Sequence, residues 1–311
     1  MAHMGTWKGK KVAVLYGGRS SERDVSLRTG KGCADALAER GYDVTLIDVG
    51  LDVAARLRDA RADVVFLALH GRWGEDGCMQ GLLESLDLPY TGSGVLASAL
   101  GMDKVFSKLL FREHGLDVIE YRVFPPERAG QVTVADLPFG LPAVVKPAAE
   151  GSSVGVHIVH APGELGEACR DAARYKGDLI AERYVKGAEV NVAVLDGKAL
   201  GAIEIVPSRE FYDYVAKYTP GSTQYFYPAR IPEEHYRRVC RAAEKAHAAL
   251  GCAGVSRVDF IVTPDGTPFV LEVNTVPGMT ATSLVPKIAA ANGVPFADLC
   301  ERLLQGASLK A

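Results

Sequence analysis

A mixed α/β protein is predicted, opening on a parallel sheet and closing on antiparallel hairpins. Strand-like apolar runs alternate with helical stretches through the first hundred residues, and two hairpin turns, Asp196-Gly197 and Pro264-Asp265-Gly266, punctuate the last. The 311 residues, 48% of them hydrophobic, suffice for about two domains or three small ones, with no need of disulfide or metal staples. Charged residues make up 23% and the net charge is −3, which excludes a disordered chain and removes the global electrostatic case for nucleic-acid binding. No apolar run approaches the ~20 residues of a membrane span. The six cysteines form no Cys-x-x-Cys pair, so core filling is expected of them, not zinc, disulfides or redox work. The opening Met1-Ala2-His3-Met4-Gly5-Thr6 resembles a cloning remnant and not a signal peptide, because no apolar run follows. A soluble protein of the reducing cytoplasm is expected.

In order along the chain, Val12–Tyr16 reads as a strand ending at Gly17-Gly18, and Ser21–Arg40 as a helix stopped by Gly41. Val44–Val49 and Val64–Leu69 are two further short strands. Ligands of such parallel sheets lie beyond the carboxyl ends of the strands, where two polar segments fall, Gly17–Glu22 and His70–Gly77. The dinucleotide fingerprint Gly-x-Gly-x-x-Gly is absent, and a carboxylate at Glu22 would oppose a pyrophosphate, so a cationic or amino substrate group is expected there. A middle segment, 103–187, holds a helix at Lys104–His114 and strands at Ala143–Lys146, Val156–Val159 and Leu179–Glu182. An alanine-rich helix is expected over Glu164–Tyr175. After the first hairpin, Pro207–Pro228 reads as a long loop with five tyrosines, followed by a helix at Glu233–Leu250 and the second hairpin, Ser256–Asn274.

That second hairpin carries the clearest chemistry. If its turn centres on Asp265-Gly266, Asp259 lies opposite Glu272 and Arg257 opposite Asn274, all four on one face. The other face then pairs Val258, Phe260 and Val262 with Val273, Leu271 and Phe269 as a core face. Facing acids repel without a cation, and two carboxylates with an amide oxygen suit Mg²⁺; a solvated face is the alternative. Lys146 closes a strand before Glu150-Gly151-Ser152-Ser153-Val154-Gly155, which is either a surface turn or a loop able to fold over phosphates. Lys104 and His70, taken singly, read as a solvated helix residue and a satisfied strand-end histidine before they read as functional groups.

Together, Lys146, Glu150–Gly155, Glu182, the hairpin and Pro277-Gly278-Met279-Thr280 resemble the ATP-grasp fold. Gly17–Ser26, His70–Gly77, Met102-Asp103-Lys104 and Tyr214–Tyr218 narrow the resemblance to the D-alanine–D-alanine ligase family, from about residue 10 to about 305. The resemblance implies an α/β (α+β) ATP-grasp fold with an N-terminal Rossmann-like parallel-sheet domain at 10–102. A central ATP-grasp subdomain would span 103–187, and a C-terminal one 188–311 with the metal site and a mobile loop at 207–228. ATP would bind through Lys104, Lys146, Ser153, Glu182 (adenine amino group) and Glu189 (ribose). Two Mg²⁺ ions, replaceable by Mn²⁺, would sit on Asp259, Glu272 and Asn274. Glu22 would take the ammonium of the first D-alanine with His70 close by, and Ser283 the carboxylate of the second. Arg257 and the Gly278 amide would stabilise the oxyanion. Lys217 and Tyr218 would close the site, with Tyr218 linked to Glu22 through Ser152. The implied activity joins two D-alanines through an acylphosphate, feeding peptidoglycan synthesis, in a cytoplasmic homodimer with no nucleic-acid or membrane partner. A ligase making D-Ala–D-lactate or another dipeptide, and a non-catalytic nucleotide-binding protein, are the competing readings.

Overall fold

The computed structural model describes residues 7–310 apart from 153, 176, 208–222 and 281. Its first segment runs β1 (Lys11–Tyr16), α1 (Arg23–Glu39), β2 (Asp43–Asp48), α2 (Val53–Ala60), β3 (Val64–Leu67), α3 (Cys78–Ser85) and α4 (Val95–Met102). The three strands form a parallel sheet in the order β2-β1-β3, with Val12 paired to Val44 on one side and Val64 on the other. Both faces of β1 are buried, as crossover helices require: Ala13 and Leu15 pack with Leu57 of α2 and Leu83 of α3. Val12 and Val14 pack on the opposite side with Cys33 and Leu37 of α1.

The middle segment begins with α5 (Lys104–Glu113), capped by Asp103, whose carboxylate accepts the Val105 and Phe106 N–H groups at 2.8 and 3.1 Å. Then follow β4 (Tyr121–Phe124), β5 (Ala143–Pro147), β6 (His157–Val159), α6 (Pro162–Ala172) and β7 (Leu179–Arg183). An antiparallel sheet forms in the order β4-β7-β5-β6. Its buried face, Ala143, Val145 and Ala181, packs on Leu165 and Cys169 of α6; period-two alternation turns Val144, Lys146 and Glu182 the other way. Helix α6 stops short of the expected Tyr175, because the Arg174 and Tyr175 N–H groups tighten onto the carbonyls of Asp171 and Ala172, three residues back.

The last segment holds β8 (Ala188–Leu195), β9 (Lys198–Pro207), β10 (Thr223–Phe226), α7 (Glu233–Ala249), β11 (Val255–Val262), β12 (Pro268–Asn274), α8 (Leu284–Ala291) and α9 (Phe296–Gln305). Five strands pair antiparallel in the order β10-β9-β8-β11-β12. Val190, Val192, Val258 and Phe260 bury one face against Val239, Ala243 and Ala246 of α7. Leu299, Cys300 and Leu303 of α9 close the core shared with α1. The expected loop over 207–228 is in part strand: Thr223–Phe226 pairs with Pro207–Glu204, as its β-branched and aromatic content favours. None of the six cysteines is bonded. Among the described residues, no helix is long and apolar enough to cross a membrane.

The hairpin register is half as expected. Asp259 pairs with Glu272 and Arg257 with Asn274, but a bulge follows and Phe260 pairs with Val270, not Leu271. The expected core partners Leu271 and Phe269 are therefore replaced by Val270 and Pro268, both buried, while Leu271 is the extra residue of β12 and turns to the cleft.

Candidate active site

A cavity of about 440 Å³ separates the two antiparallel sheets, walled by Val144, Lys146, Ile158 and Glu182 on one side and Glu189, Ile205, Ile261 and Leu271 on the other. A second, of about 950 Å³, reaches toward the parallel sheet and is lined by Glu22, His70, Glu75, Ser152, Arg257, Asn274, Gly278 and Ser283 among others. Both volumes lie in the range of small-molecule sites. Glu189, Asp259 and Glu272 line both cavities. Every predicted site residue among the described ones borders one cavity or both. Ser153, Lys217 and Tyr218 lie outside the described residues.

In the first cavity Glu182 is the hub. Its side chain is 2% exposed; Oε2 lies 2.8 Å from Lys146 Nζ, and Oε1 lies 2.8 Å from the Nζ of Lys108, whose side chain is 0% exposed. Burial opposes ionisation, but the two ammoniums outweigh it and hold the Glu182 carboxyl down at about 2. Lys104 reaches the Glu150 carbonyl at 2.5 Å and Glu272 Oε2 at 3.2 Å. At the junction, Arg257 donates from Nε and Nη2 to both oxygens of Asp259, at 2.7 and 2.8 Å. Asn274 turns its amide nitrogen to Asp259 Oδ2 at 3.3 Å, so its carbonyl oxygen is the atom it can offer a cation.

Among the described residues no group of three or more His, Cys, Asp or Glu is disposed to hold a metal. The donor set here is smaller, two carboxylates facing across the β11–β12 ladder with an amide beside them. That set fits Mg²⁺, which takes one or two carboxylates and completes its shell with water and phosphate oxygens.

The second cavity is lined by acids of a different kind. Glu22 stands at the residue preceding α1, and its carboxylate, which makes no capping bond to the helix, accepts a hydrogen bond from the Ser152 hydroxyl, while Ser152 sits in the left-handed region at φ 52°. Glu75 accepts the Gly71 N–H at 2.6 Å; burial, reinforced by the nearby Glu22 charge, pushes its carboxyl well above the usual range. His70 is buried, with Nδ1 3.1 Å from the Val276 carbonyl and Nε2 2.9 Å from Thr29 Oγ1. A carbonyl only accepts, so Nδ1 carries the proton and Nε2 accepts from Thr29. Burial lowers the His70 pKa against the opposing pull of the Glu22 charge, which favours the neutral ring. Ser283 Oγ accepts the Thr280 N–H at 3.0 Å, and a Cβ on Gly278 would meet that oxygen at 2.9 Å.

Three participants were not legible as such in the sequence. Lys108 follows Lys104 by four residues, a spacing that puts both on one helix face but says nothing of what lies beneath. Asn191 is 2% exposed, pairs with Asp259 across β8 and β11, and lines the second cavity. Leu271 reaches the first cavity only through the bulge, which has no sequence signature.

Family models named D-ala D-ala ligase C-terminus and D-ala D-ala ligase N-terminus match residues 110–305 and 51–93. The D-alanine–D-alanine ligase of Anaeromyxobacter sp. (strain Fw109-5) is 71% identical over 308 residues, covering 99% of this chain and 100% of that protein. That of Geotalea uraniireducens (strain Rf4) is 54% identical over 303 residues, 97% of each. The crystal structure of the Bacillus anthracis D-alanine–D-alanine ligase complexed with ATP aligns at a TM-score of 0.84 and 34% identity, covering 96% of this chain and 97% of that one.

Proposed function

This chain belongs to the D-alanine–D-alanine ligase family, and from that premise we propose that ATP occupies the smaller cavity and two D-alanines the larger. The enzyme joins two D-alanines to D-alanyl-D-alanine and converts ATP to ADP and phosphate. One observation carries the assignment of cavities: the facing pair Asp259 and Glu272 borders both, as Glu189 does beside it, which supports a meeting of the γ-phosphate and the first D-alanine carboxylate at that pair.

A carboxylate resists attack by an amine because the leaving group would be an oxide. Transfer of the γ-phosphoryl to a carboxylate oxygen of the first D-alanine gives an acylphosphate. The amine of the second D-alanine then attacks the carbonyl, and phosphate departs. Loose phosphoryl transfer asks for positioning and charge neutralisation, which Lys104 and Lys146 supply from the nucleotide side. Glu182 accepts from the adenine amino group and Glu189 from the ribose hydroxyls. Asp259, Glu272 and Asn274 would hold Mg²⁺, or Mn²⁺ in its place, which neutralises phosphate charge when bound. Glu22, oriented by Ser152, takes the first ammonium, and neutral His70 beside it adds no competing positive charge. Arg257, its guanidinium oriented by two bonds to Asp259, and the Gly278 N–H serve the tetrahedral oxyanion. Ser283 holds the second carboxylate. Lys217 and Tyr218 are assigned to closure of the site on the sequence alone.

We assign the product to peptidoglycan precursor synthesis in the cytoplasm, and the assembly to a homodimer. Leu96, Phe106 and Leu109 of the adjoining helices α4 and α5 are exposed at 70%, 58% and 50%, which favours a covered face. Light scattering on the purified chain reads the mass directly, and a monomer at micromolar concentration removes that assignment. Incubation with ATP, Mg²⁺ and single D- or L-amino acids, with products identified by mass spectrometry, tests the activity. D-alanyl-D-alanine should form and L-alanine should be inert; ADP release without dipeptide overturns the reading.

A further inference from the structure

We propose that Lys108 is a positioning residue for nucleotide recognition: from beneath the cleft its ammonium anchors the Glu182 carboxylate toward the adenine and leaves Lys146 its charge for the phosphates. The proposal rests on the roles assigned above to Glu182 and Lys146. Lys108 borders neither cavity, and its side chain has no exposed surface, so it touches no substrate itself. It sits on α5, four residues beyond Lys104, and meets Glu182 Oε1 at 2.8 Å while Lys146 meets Oε2 at the same distance. The carboxylate is thereby gripped at both oxygens, one from below and one from the cleft.

The charge count gives the arrangement its purpose. A pair made only of Lys146 and Glu182 is neutral, and its lysine has little to offer a polyanion. Burial lowers the Lys108 pKa and the Glu182 carboxylate opposes that; with Lys108 protonated, the trio carries one net positive charge, and its cleft-facing member is Lys146. Glu182, held by two cations, stays an acceptor with lone pairs to spare for an exocyclic amine. Adenine presents such a donor, where guanine presents a carbonyl oxygen that a carboxylate repels. Lys108 therefore tunes both nucleotide affinity and the choice of base. A lysine that served only to fill volume would do neither.

The test is steady-state kinetics of the full-length enzyme with ATP and with GTP, at varied D-alanine. Lys108→Met keeps the side-chain length and removes the charge. It should raise the ATP KM about tenfold and cut the ATP-over-GTP preference by a similar factor, with the D-alanine KM unchanged. Lys108→Arg should recover most of the preference. A Lys108→Met enzyme with lower kcat but wild-type ATP KM and base preference overturns the proposal. Glu182→Gln, measured alongside, separates the two levels. If it leaves ATP binding and base preference intact, the adenine role of Glu182 fails. If it loses both while Lys108→Met keeps them, only the role of Lys108 fails. Should Lys108→Met not fold, the double variant with Glu182→Gln, which buries no unbalanced carboxylate, serves in its place. It should match Glu182→Gln alone, and a further tenfold loss would show that Lys108 does not act through Glu182.

Discussion

In the chamber assigned to the nucleotide, two acids meet lysines: Glu182 has Lys108 and Lys146, and Glu272 has Lys104. In the chamber assigned to the amino acids, the two acids found there alone meet uncharged groups, Glu22 the Ser152 hydroxyl and Glu75 the Gly71 N–H. The difference follows the ligands. A nucleotide brings several negative charges and needs a wall with positive charge to lend. A zwitterionic amino acid brings one of each, and its chamber shifts Glu75 upward and His70 downward, both toward their neutral forms, leaving Glu22 to meet the ammonium. Between them stand Asp259 and Glu272, which belong to both chambers.

The largest effect should come from breaking that shared boundary. Glu272→Gln should cut dipeptide formation at least about 10²-fold while the protein still unfolds cooperatively near the wild-type temperature. Near-normal turnover at ordinary Mg²⁺ concentrations would mean that the two chambers do not communicate through this residue. Next, single-side substitutions should produce single-side defects. Lys146→Met should lower kcat/KM for ATP by about 10²-fold with little change in the D-alanine KM. Glu22→Gln should do the converse, weakening the first D-alanine about tenfold or more and sparing nucleotide binding. Isothermal titration with a non-hydrolysable ATP analogue distinguishes them, and a Glu22→Gln enzyme that binds the analogue poorly would erase the distinction.

A smaller effect, readable in stability, has opposite sign on the two sides. Glu182 is held at about 2 against roughly 4.3 in an unfolded chain. Its contribution is present above the unfolded value and is lost as pH falls toward 2, so Glu182→Gln should flatten the acid limb of the unfolding curve there. Glu75 is raised, so the unfolded chain releases a proton that the folded one retains, and its burial costs stability as pH climbs above about 4.3. Glu75→Gln, which mimics the neutral acid, should therefore raise the melting temperature by a few degrees at neutral pH and by less at pH 4. Two melting series from pH 2 to 8 suffice; a parallel response of the variants would contradict the contrast between the chambers.

What the sequence disclosed was chiefly what repeats or turns. The period of two, counted back from Asp265-Gly266, brought Arg257, Asp259, Glu272 and Asn274 onto one face, and the structure keeps that pairing. The same count failed beyond Asp259, because a bulge is one residue without a mark of its own. Lys108 and Asn191 were missed because their role depends on what lies across the fold from them, Glu182 and Asp259, and no spacing along the chain carries that. Thr223–Phe226 was hidden by the proline, glycine and tyrosine around it, although its own residues favour a strand.

The bulge in β12 gives the hairpin an unusual tolerance. Remove Leu271 and the ladder closes on itself: Val270 still faces Phe260, Glu272 still faces Asp259, and the two become ordinary neighbours. Elsewhere in a strand, losing a single residue inverts every side chain beyond it. Here the deletion would strip one apolar side chain from the nucleotide pocket and leave the acidic face in phase. A one-residue deletion at that point should thus reshape the wall of that cavity without disturbing the carboxylates, the bulge serving as a spacer between two parts of the strand.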